Sequence, residues 1–153
     1  MSSRLIAIFK IIGYNKLIIL VTSKLMTSPL KIKVTAYNKA LRQLEEALNQ
    51  PYSEFIRDAV IQRFEFTYEL AWKSLKLQLA TLDLVVRSPK ETLKVAYQQQ
   101  LIEDADSWGE LHLKRNLTTH TYDETLAEDV YQFIKNKGLK LFQELSTKLE
   151  FTE

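Results

Sequence analysis

The sequence predicts an all-α protein, an antiparallel up-and-down bundle of four to five helices. Glycine and proline are scarce, with three of each among 153 residues, and each proline falls between candidate helices. Arg57–Lys76 is a long, unbroken run of helix-forming residues. Elsewhere, apolar side chains recur at three- and four-residue spacing, which is typical of amphipathic helices. The loops must therefore be short, and the length fits one domain.

Residues 1–25 differ from the rest of the chain, because they are apolar and basic and contain no acidic residue. Lys10 and Lys16 divide the apolar run into pieces shorter than the roughly 20 residues that span a bilayer. One interpretation is an amphipathic helix on a membrane surface. We favour a translation start assigned too early, with Met26 as the initiator. The expected organisation is an atypical segment, 1–25, followed by a single bundle domain, 26–153.

The first helix of the bundle is predicted from Thr35 to Asn49. The sequence Asn49-Gln50-Pro51-Tyr52 ends it. Ser53 is expected to cap a second helix that runs to about Leu82. The first helix carries four apolar side chains at helical spacing: Tyr37, Leu41, Leu44 and Leu48.

The second helix carries two apolar faces separated by polar residues. A surface helix usually has a single apolar stripe, so we expect neighbours on both sides. The second neighbour is either another helix of the same chain, which we favour, or a partner subunit. The first face consists of Phe64, Tyr68, Ala71, Leu75, Leu79 and Leu82, with Trp72 at its edge; the second consists of Ala59, Phe66, Leu70 and Leu77.

Three further helix starts can be predicted from the second half of the chain. Ser88 is expected to cap a helix that has Pro89 at its first position. Another helix from about Glu103 places four side chains on one face: Ala105, Trp108, Leu111 and Arg115. Thr121-Tyr122-Asp123-Glu124 has the pattern of a capping box, with Thr121 as the cap and Glu124 reaching back. The last helix then continues to Leu149, with Gly138 as a potential kink.

Composition argues against several classes of function. The chain has no cysteine, which excludes disulfides, zinc–thiolate sites and thiol catalysis and suits a reducing cytoplasm. Its two histidines lack the spacing of a transition-metal site, so we expect neither metal nor cofactor. The formal net charge of +2 argues against a protein that coats nucleic acid, so any anion site must be local.

Arg115 is the first residue at which chemistry is expected. It follows Trp108 by seven residues, which places it on the same inward face. A guanidinium keeps its charge, so it needs either an acidic partner or an anionic ligand there. Glu65 and Glu69 are the candidate partners. If one of them simply neutralises Arg115, the arginine makes a structural ion pair and nothing more.

His120 and Tyr122 follow Arg115 closely. His120 immediately precedes the expected cap of the last helix, where free amides and the positive dipole end attract anions. Tyr122 would occupy the first helical position and expose its phenol. Arginine, imidazole and free amides around one spot suit a phosphodiester. The alternative is that His120 is a loop residue with satisfied hydrogen bonds.

Together, Arg57–Lys76, residues 88–102, Trp108 and residues 115–124 resemble the nucleotidyltransferase substrate-binding protein family. That family belongs to the HEPN superfamily of small helical bundles, and the resemblance covers roughly residues 33–150. HEPN proteins share an Arg-x4–6-His motif, which Arg115 and His120 match. The toxin branch carries Arg-x4-His-x-Tyr, which Tyr122 completes.

The resemblance implies a substrate- or nucleotide-binding subunit that forms a complex with a separately encoded minimal nucleotidyltransferase. It also implies a homodimer within that hetero-oligomer, no membrane association, and latent metal-independent ribonuclease (toxin) activity. The implied catalytic residues are Arg115 and His120, and Asn116 and Thr119 would help them to bind RNA or nucleotide. Glu65 and Glu69 would support them, and the partner would silence the site by nucleotidylating Tyr122. The alternative is a purely non-catalytic helical adaptor.

Overall fold

The computed structural model describes residues 28–149, and within this range every regular element is helical. The predicted all-α bundle is confirmed. The expectations for residues 1–25 lie outside the described residues. The helices are α1 (Pro29–Leu48), α2 (Glu54–Ala80), α3 (Pro89–Gln98), α4 (Ala105–Leu117), α5 (Glu124–Phe133) and α6 (Leu139–Lys148); a 3₁₀ turn, Thr118–His120, follows α4, and a π-helical turn, Ile134–Gly138, joins α5 to α6.

Serine and aspartate side chains begin most of the helices. Ser53 and Ser88 accept hydrogen bonds from the amides of Ile56 and Glu91, as predicted. The first helix starts earlier than Thr35, because Ser28 caps it and its apolar stripe already begins at the buried Leu30 and Val34. The start of α4 is also shifted, from Glu103 to Ala105, since Asp104 is the residue that caps this helix. The α2 helix ends at Ala80, slightly before the predicted Leu82.

The predicted capping box at the start of the last helix is wrong. Asp123, rather than Thr121, is the cap, and its Oδ1 accepts from the Leu126 amide at 3.1 Å. The Thr121 hydroxyl is used elsewhere, because it donates to the Thr118 carbonyl at 3.1 Å and so closes the 3₁₀ turn. Glu124 does not reach back, since its carboxylate is hydrogen-bonded to Arg57. The 3₁₀ turn therefore delays the start of the helix to Glu124.

Asp123→Ala is expected to lower the free energy of unfolding by about 1 kcal/mol, because it leaves an amide of the first turn of α5 without its acceptor. Thr121→Ala is the matched control, since it removes a hydroxyl from the same segment that is not a helix cap. Urea unfolding followed by circular dichroism measures both variants. A larger loss for Thr121→Ala than for Asp123→Ala would contradict the assigned cap.

The central helix of the bundle is α2, and α1 packs along it. The side chains predicted on its first face from Phe64 to Leu79 are buried, whereas Leu82 lies beyond the helix and is half exposed. Phe142 of α6 meets three aromatic rings, those of Tyr37, Phe64 and Trp108, at centroid distances of 6.4, 5.9 and 6.0 Å. The Tyr37 hydroxyl also donates to the Phe142 carbonyl at 2.7 Å. One aromatic cluster thus joins α1, α2, α4 and α6.

The second apolar face of α2 is only partly covered. Leu70 and Leu77 are partly buried against the core of the same chain, as the favoured interpretation expected. Phe66 is 51% exposed. Neighbouring helices of the chain therefore account for two of these side chains and leave the phenylalanine on the surface.

The expected irregularity at Gly138 takes the form of the π-helical turn. A Cβ added to Gly138 would lie 3.4 Å from the Phe133 ring, a tight but not prohibitive approach. Such turns insert one residue into a continuous helix and rotate the faces on either side of it. None of the helices within residues 28–149 has the combination of length and hydrophobicity needed to cross a bilayer.

Candidate functional site

Arg115 lies in the last turn of α4 and pairs with Glu69 of α2. Its Nη2 is 3.3 Å from Glu69 Oε1, and its side chain is 28% exposed. Its Nε is buried and has no hydrogen-bond partner within the described residues. The predicted acidic partner is therefore present, while the side chain stays partly open to solvent and its buried Nε is left unsatisfied. Because the group is also partly open to solvent, an anion can approach it without displacing the fold.

Glu69 is held in place by two further residues of its own helix. The Trp72 indole N–H donates to Glu69 Oε2 at 3.0 Å. Lys73 Nζ lies 3.5 Å from the same oxygen, in an i,i+4 pair on α2. Trp72 is only partly buried, so it orients the carboxylate in addition to packing against the core. These contacts leave Oε1 as the oxygen that faces Arg115.

Glu65 acts on the same segment by a different contact. Its Oε1 accepts from the hydroxyl of the buried Thr118 at 2.5 Å, and no ion pair with Arg115 is present within the described residues. The Thr118 hydroxyl also lies 2.7 Å from the Arg115 carbonyl. Of the two candidate partners, Glu69 therefore pairs with Arg115, and Glu65 fixes the 3₁₀ turn that follows it.

Arg57 is a third anchor, and the sequence analysis missed it. This arginine is 4% exposed, and its Nη1 lies 2.6 Å from Glu124 while its Nη2 lies 3.1 Å from Asp58. Hydrogen bonding to Glu124 is the main reason that the pKa of Arg57 is raised. The contact joins the start of α2 to the first residue of α5. Its sequence signal is the seven-residue spacing from Phe64, which places both residues on one face of α2.

His120 and Tyr122 form an exposed pair after the 3₁₀ turn. His120 Nδ1 lies 3.3 Å from the Tyr122 hydroxyl, and the two rings meet edge to face. Tyr122 is 84% exposed. It precedes the Asp123 cap, so the expectation that it occupies the first helical position is wrong. His120 likewise lies three residues before the cap rather than directly against the free amides of α5.

Asn116 and Thr119 are held by local contacts. The Thr119 hydroxyl donates to the Asn116 carbonyl at 3.1 Å. The Asn116 amide lies 3.4 Å from Nε2 of His112, one turn earlier on α4. No hydrogen bond joins the Arg115 and His120 side chains in the part of the chain that the structure describes. The structure thus pairs Arg115 with Glu69 and His120 with Tyr122. Arg115, His120 and Tyr122 lie on one short segment, whereas Glu69 belongs to α2.

A polar groove of about 540 Å³ runs between α2 and the 3₁₀ turn. Tyr122 and Thr121 line one side, and Asp58, Gln62 and Glu65 line the other. An anion in this groove would meet carboxylates, so a phosphate is better accommodated on the Arg115 side of the segment. The groove instead leaves the Tyr122 phenol accessible from the α2 side.

His112 lies at the contact between α2 and α4. Its Nδ1 lies 2.6 Å from the hydroxyl of Tyr68, a side chain that belongs to the core face of α2. Burial lowers the pKa of His112, and the charges of Arg115 and Lys90 lower it further. The neutral imidazole is therefore favoured, and it is fixed at the point where α2 meets α4.

Acidification is expected to destabilise the fold through His112. Because its pKa is depressed on folding, the unfolded chain takes up the proton first as pH falls below the ordinary value of 6.5. The contribution to stability is present above pH 6.5 and is lost between 6.5 and the lower folded pKa. Urea unfolding of the protein and of His112→Gln between pH 7 and pH 5 tests this, because carboxylate effects are common to both. An equal loss of stability in the two proteins would contradict it.

Within residues 28–149, no three or more acidic or histidine side chains are grouped so as to hold a metal ion. The side chains of the 115–122 segment offer a cation, an imidazole and a phenol. The solvent-exposed part of the guanidinium can bind a phosphate. The imidazole can accept or deliver a proton, and the phenol can be modified because it is exposed.

Three comparisons relate this chain to known proteins. Residues 32–151 match the model of the family described as nucleotidyltransferase substrate binding protein like. Over 76 residues, the chain is 41% identical to the protein named probable ribonuclease HepT of Haemophilus influenzae. That alignment covers 46% of this chain and 52% of the relative, so the chain spans about half the length of the curated relative that it matches.

Solved structures share the fold. A protein of Thermus thermophilus is 33% identical with a TM-score of 0.70, covering 75% of this chain and 99% of its own. A Haemophilus influenzae protein, described as revealing the fold of a substrate binding domain of a nucleotidyltransferase, is 30% identical with a TM-score of 0.67, covering 76% and 98%. A chain from a toxin–antitoxin structure with AMP-PNP, 15% identical with a TM-score of 0.65 and covering 82% and 100%, shares the fold alone. The family model covers most of the chain and includes the whole 115–124 segment, and the chain therefore belongs to the nucleotidyltransferase substrate binding protein like family.

Proposed function

We propose that this chain is a helical subunit that binds nucleotide or RNA and forms a complex with a separately encoded minimal nucleotidyltransferase. The observation that carries the proposal is the partly exposed guanidinium of Arg115, whose Nε has no partner among the described residues. Glu69 Oε1 is the carboxylate oxygen that pairs with this guanidinium in the described part of the chain. A phosphate oxygen would bind at the part of the guanidinium that stays open to solvent.

Latent ribonuclease activity is the second part of the proposal. Arg115 would hold the scissile phosphate and stabilise the charge that develops on its oxygens. His120 would remove the proton from the 2′-hydroxyl, whose oxygen then attacks phosphorus and expels the 5′-oxygen. The products would be a 2′,3′-cyclic phosphate and a 5′-hydroxyl, and the leaving oxygen must gain a proton. A second His120 from a homodimer partner would supply that proton, since one imidazole cannot act as base and acid at once.

Silencing by nucleotidylation fits the exposure of Tyr122. The phenol oxygen would attack the α-phosphorus of a nucleoside triphosphate bound to the partner enzyme, releasing pyrophosphate and the phenol proton. The product would carry a nucleotide on the oxygen that now lies 3.3 Å from His120 Nδ1. This negative charge would occupy the place of the RNA phosphate and repel it. The relatives named as a ribonuclease and as a substrate-binding domain support the two halves of the proposal.

The test uses the full chain, alone and with a candidate minimal nucleotidyltransferase from the same organism. Incubation with the partner and ATP is expected to add one nucleotide to the peptide that contains Tyr122 and to stop RNA cleavage. Tyr122→Phe is expected to keep cleaving RNA after the same treatment, with mass spectrometry and a fluorescent RNA as readouts. Tyr52→Phe is the matched control, because Tyr52 is exposed but lies in the loop before α2. Silencing of Tyr122→Phe to the same degree as the unmodified protein would refute nucleotidylation of this tyrosine.

A further inference from the structure

A large open groove lies between α3 and α4, away from the polar groove beside Tyr122. It has a volume of about 860 Å³, within the range of small-molecule sites. Leu93 and Tyr97 of α3 and Leu113 of α4 give it a mainly apolar lining. Tyr97 and Leu113 are both substantially exposed, so the groove is open to a ligand.

Gly109 lies on the α4 wall of this groove, and the fold does not explain it. A Cβ added there would meet nothing within 4 Å, so no neighbouring atom requires a glycine. Glycine inside a helix costs about 1 kcal/mol relative to alanine. Its effect is to leave a flat stretch of helix backbone in the same groove that the exposed Tyr97 ring lines. Such a space accommodates a planar ring.

Polar groups converge at one part of the groove. His112 and Asn116 both line it, and the His112 ring is fixed because Tyr68 holds its Nδ1. The other ring nitrogen, Nε2, lies 3.4 Å from the Asn116 side-chain nitrogen, which is long for a hydrogen bond. An imidazole and an amide side by side offer both donors and acceptors, which is what the edge of a nucleobase requires.

The two walls of the groove carry different charges, and this difference favours a ligand with one phosphate over a longer nucleic-acid strand. Lys90 and Lys94 line the α3 wall and make no ion pair within the described residues. Glu110 on the α4 wall is neutralised by Lys137 at 2.6 Å, whereas Asp106 is not paired in that range. A single phosphate beside the lysines is therefore favoured, while a strand that crosses both walls would place a phosphate near Asp106.

We infer that the groove between α3 and α4 binds a nucleoside monophosphate, with its base against Gly109 and Tyr97 and its phosphate at Lys90 and Lys94. The base edge would meet His112 and Asn116. This site is distinct from the Arg115–His120 pair, although Asn116 is next to Arg115 in sequence. The inference goes beyond the proposed function, because that function places a phosphate at Arg115 and this groove is a second nucleotide site; it requires neither RNA cleavage nor nucleotidylation of Tyr122.

Calorimetric titration of the full chain with AMP, GMP, CMP and UMP tests the inference, with adenosine and ribose 5-phosphate as partial ligands. At least one monophosphate is expected to bind, and its nucleoside and sugar phosphate are expected to bind at least about tenfold more weakly. Gly109→Leu fills the space over the helix and should lower the affinity at least about tenfold while raising helix propensity. Lys94→Glu should lower it similarly, whereas the control Lys76→Glu, on the exposed side of α2, should not.

His120→Ala separates this site from the Arg115–His120 pair, because His120 does not line the groove. The affinity of His120→Ala is expected to equal that of the unmodified chain even if the same variant proves unable to cleave RNA. Absence of binding by all four monophosphates would overturn the inference. An unchanged affinity in Gly109→Leu and Lys94→Glu would also overturn it. This holds even if light scattering shows that these variants alter association with a second copy of the chain.

Discussion

Arg115→Ala is expected to lower RNA cleavage by the chain at least about 100-fold, because it removes the charge that would stabilise the pentacoordinate phosphate. Arg115→Lys should recover only part of the activity, since an ammonium cannot present the paired donors of a guanidinium. Cleavage of a fluorescent RNA under single-turnover conditions measures the effect on the chemical step. Growth arrest on expression of the chain alone is a second readout, and either variant should relieve it.

The control for Arg115 is Arg63→Ala. Arg63 is, like Arg115, a partly buried arginine with a side-chain partner. It lies on α2, and its Nη1 donates to Gln43 Oε1 of α1 at 2.7 Å. It should lose little activity, whereas a general need for positive charge would affect both variants. Thermal unfolding by circular dichroism should show that Arg115→Ala is folded, because its side chain is partly exposed. Full cleavage activity in folded Arg115→Ala would contradict the assigned role and leave the pair with Glu69 as a structural contact.

Phe142→Ala is expected to lower the free energy of unfolding by about 3–5 kcal/mol, which is a large part of the stability of a domain of this size. The Phe142 ring is fully buried and contacts aromatic rings of α1, α2 and α4, so its removal leaves a cavity where four helices meet. Phe55→Ala is the matched control, because Phe55 is 87% exposed at the start of α2. It should change the free energy by less than about 0.5 kcal/mol.

Urea unfolding at constant pH measures both phenylalanine variants. Phe142→Leu should be less destabilised than Phe142→Ala, since it fills part of the cavity. The backbone carbonyl that accepts from Tyr37 is retained in each variant, so the comparison isolates the ring. Equal losses for the buried and the exposed phenylalanine would mean that the aromatic cluster does not hold the helices together.

The helical periodicity of the sequence predicted the core face of α2 well. Phe64, Tyr68, Ala71, Leu75 and Leu79 are all buried, because burial along one helix repeats with the period of that helix. Leu82 was predicted on the same face and is half exposed, since the helix ends at Ala80 and the period no longer applies. Periodicity thus predicts a face reliably only while the helix continues.

The local chemistry of helix starts was predicted less evenly. Ser53 and Ser88 were identified correctly, because each is the one good cap residue before a clear apolar pattern. Thr121 and Asp123 are both good caps two residues apart, and the capping-box pattern favoured the wrong one. The choice depends on whether the Thr121 hydroxyl is free, and it is not, since it closes the 3₁₀ turn.

The candidate site was predicted as a segment but not as a geometry. Glu65 and Glu69 are one helical turn apart on the same side of α2. Sequence spacing therefore makes both candidates for Arg115 and cannot choose between them. The packing of α4 against α2 chooses Glu69 for the arginine and Glu65 for Thr118. The spacing of Arg57 from Phe64 indicates burial, but its main partner, Glu124, lies on a distant helix and could not be identified from the sequence.

The sequence by itself determined the helical class, the buried face of the central helix and the Arg115–His120–Tyr122 segment. These features depend on spacing between residues that are near one another in the chain. Only the tertiary structure decided which carboxylate holds Arg115, where α5 begins, and that α3 and α4 enclose an open groove beside His112. Those features arise from contacts between helices, whose relative register is set by packing of the whole core and not by any one stretch of sequence.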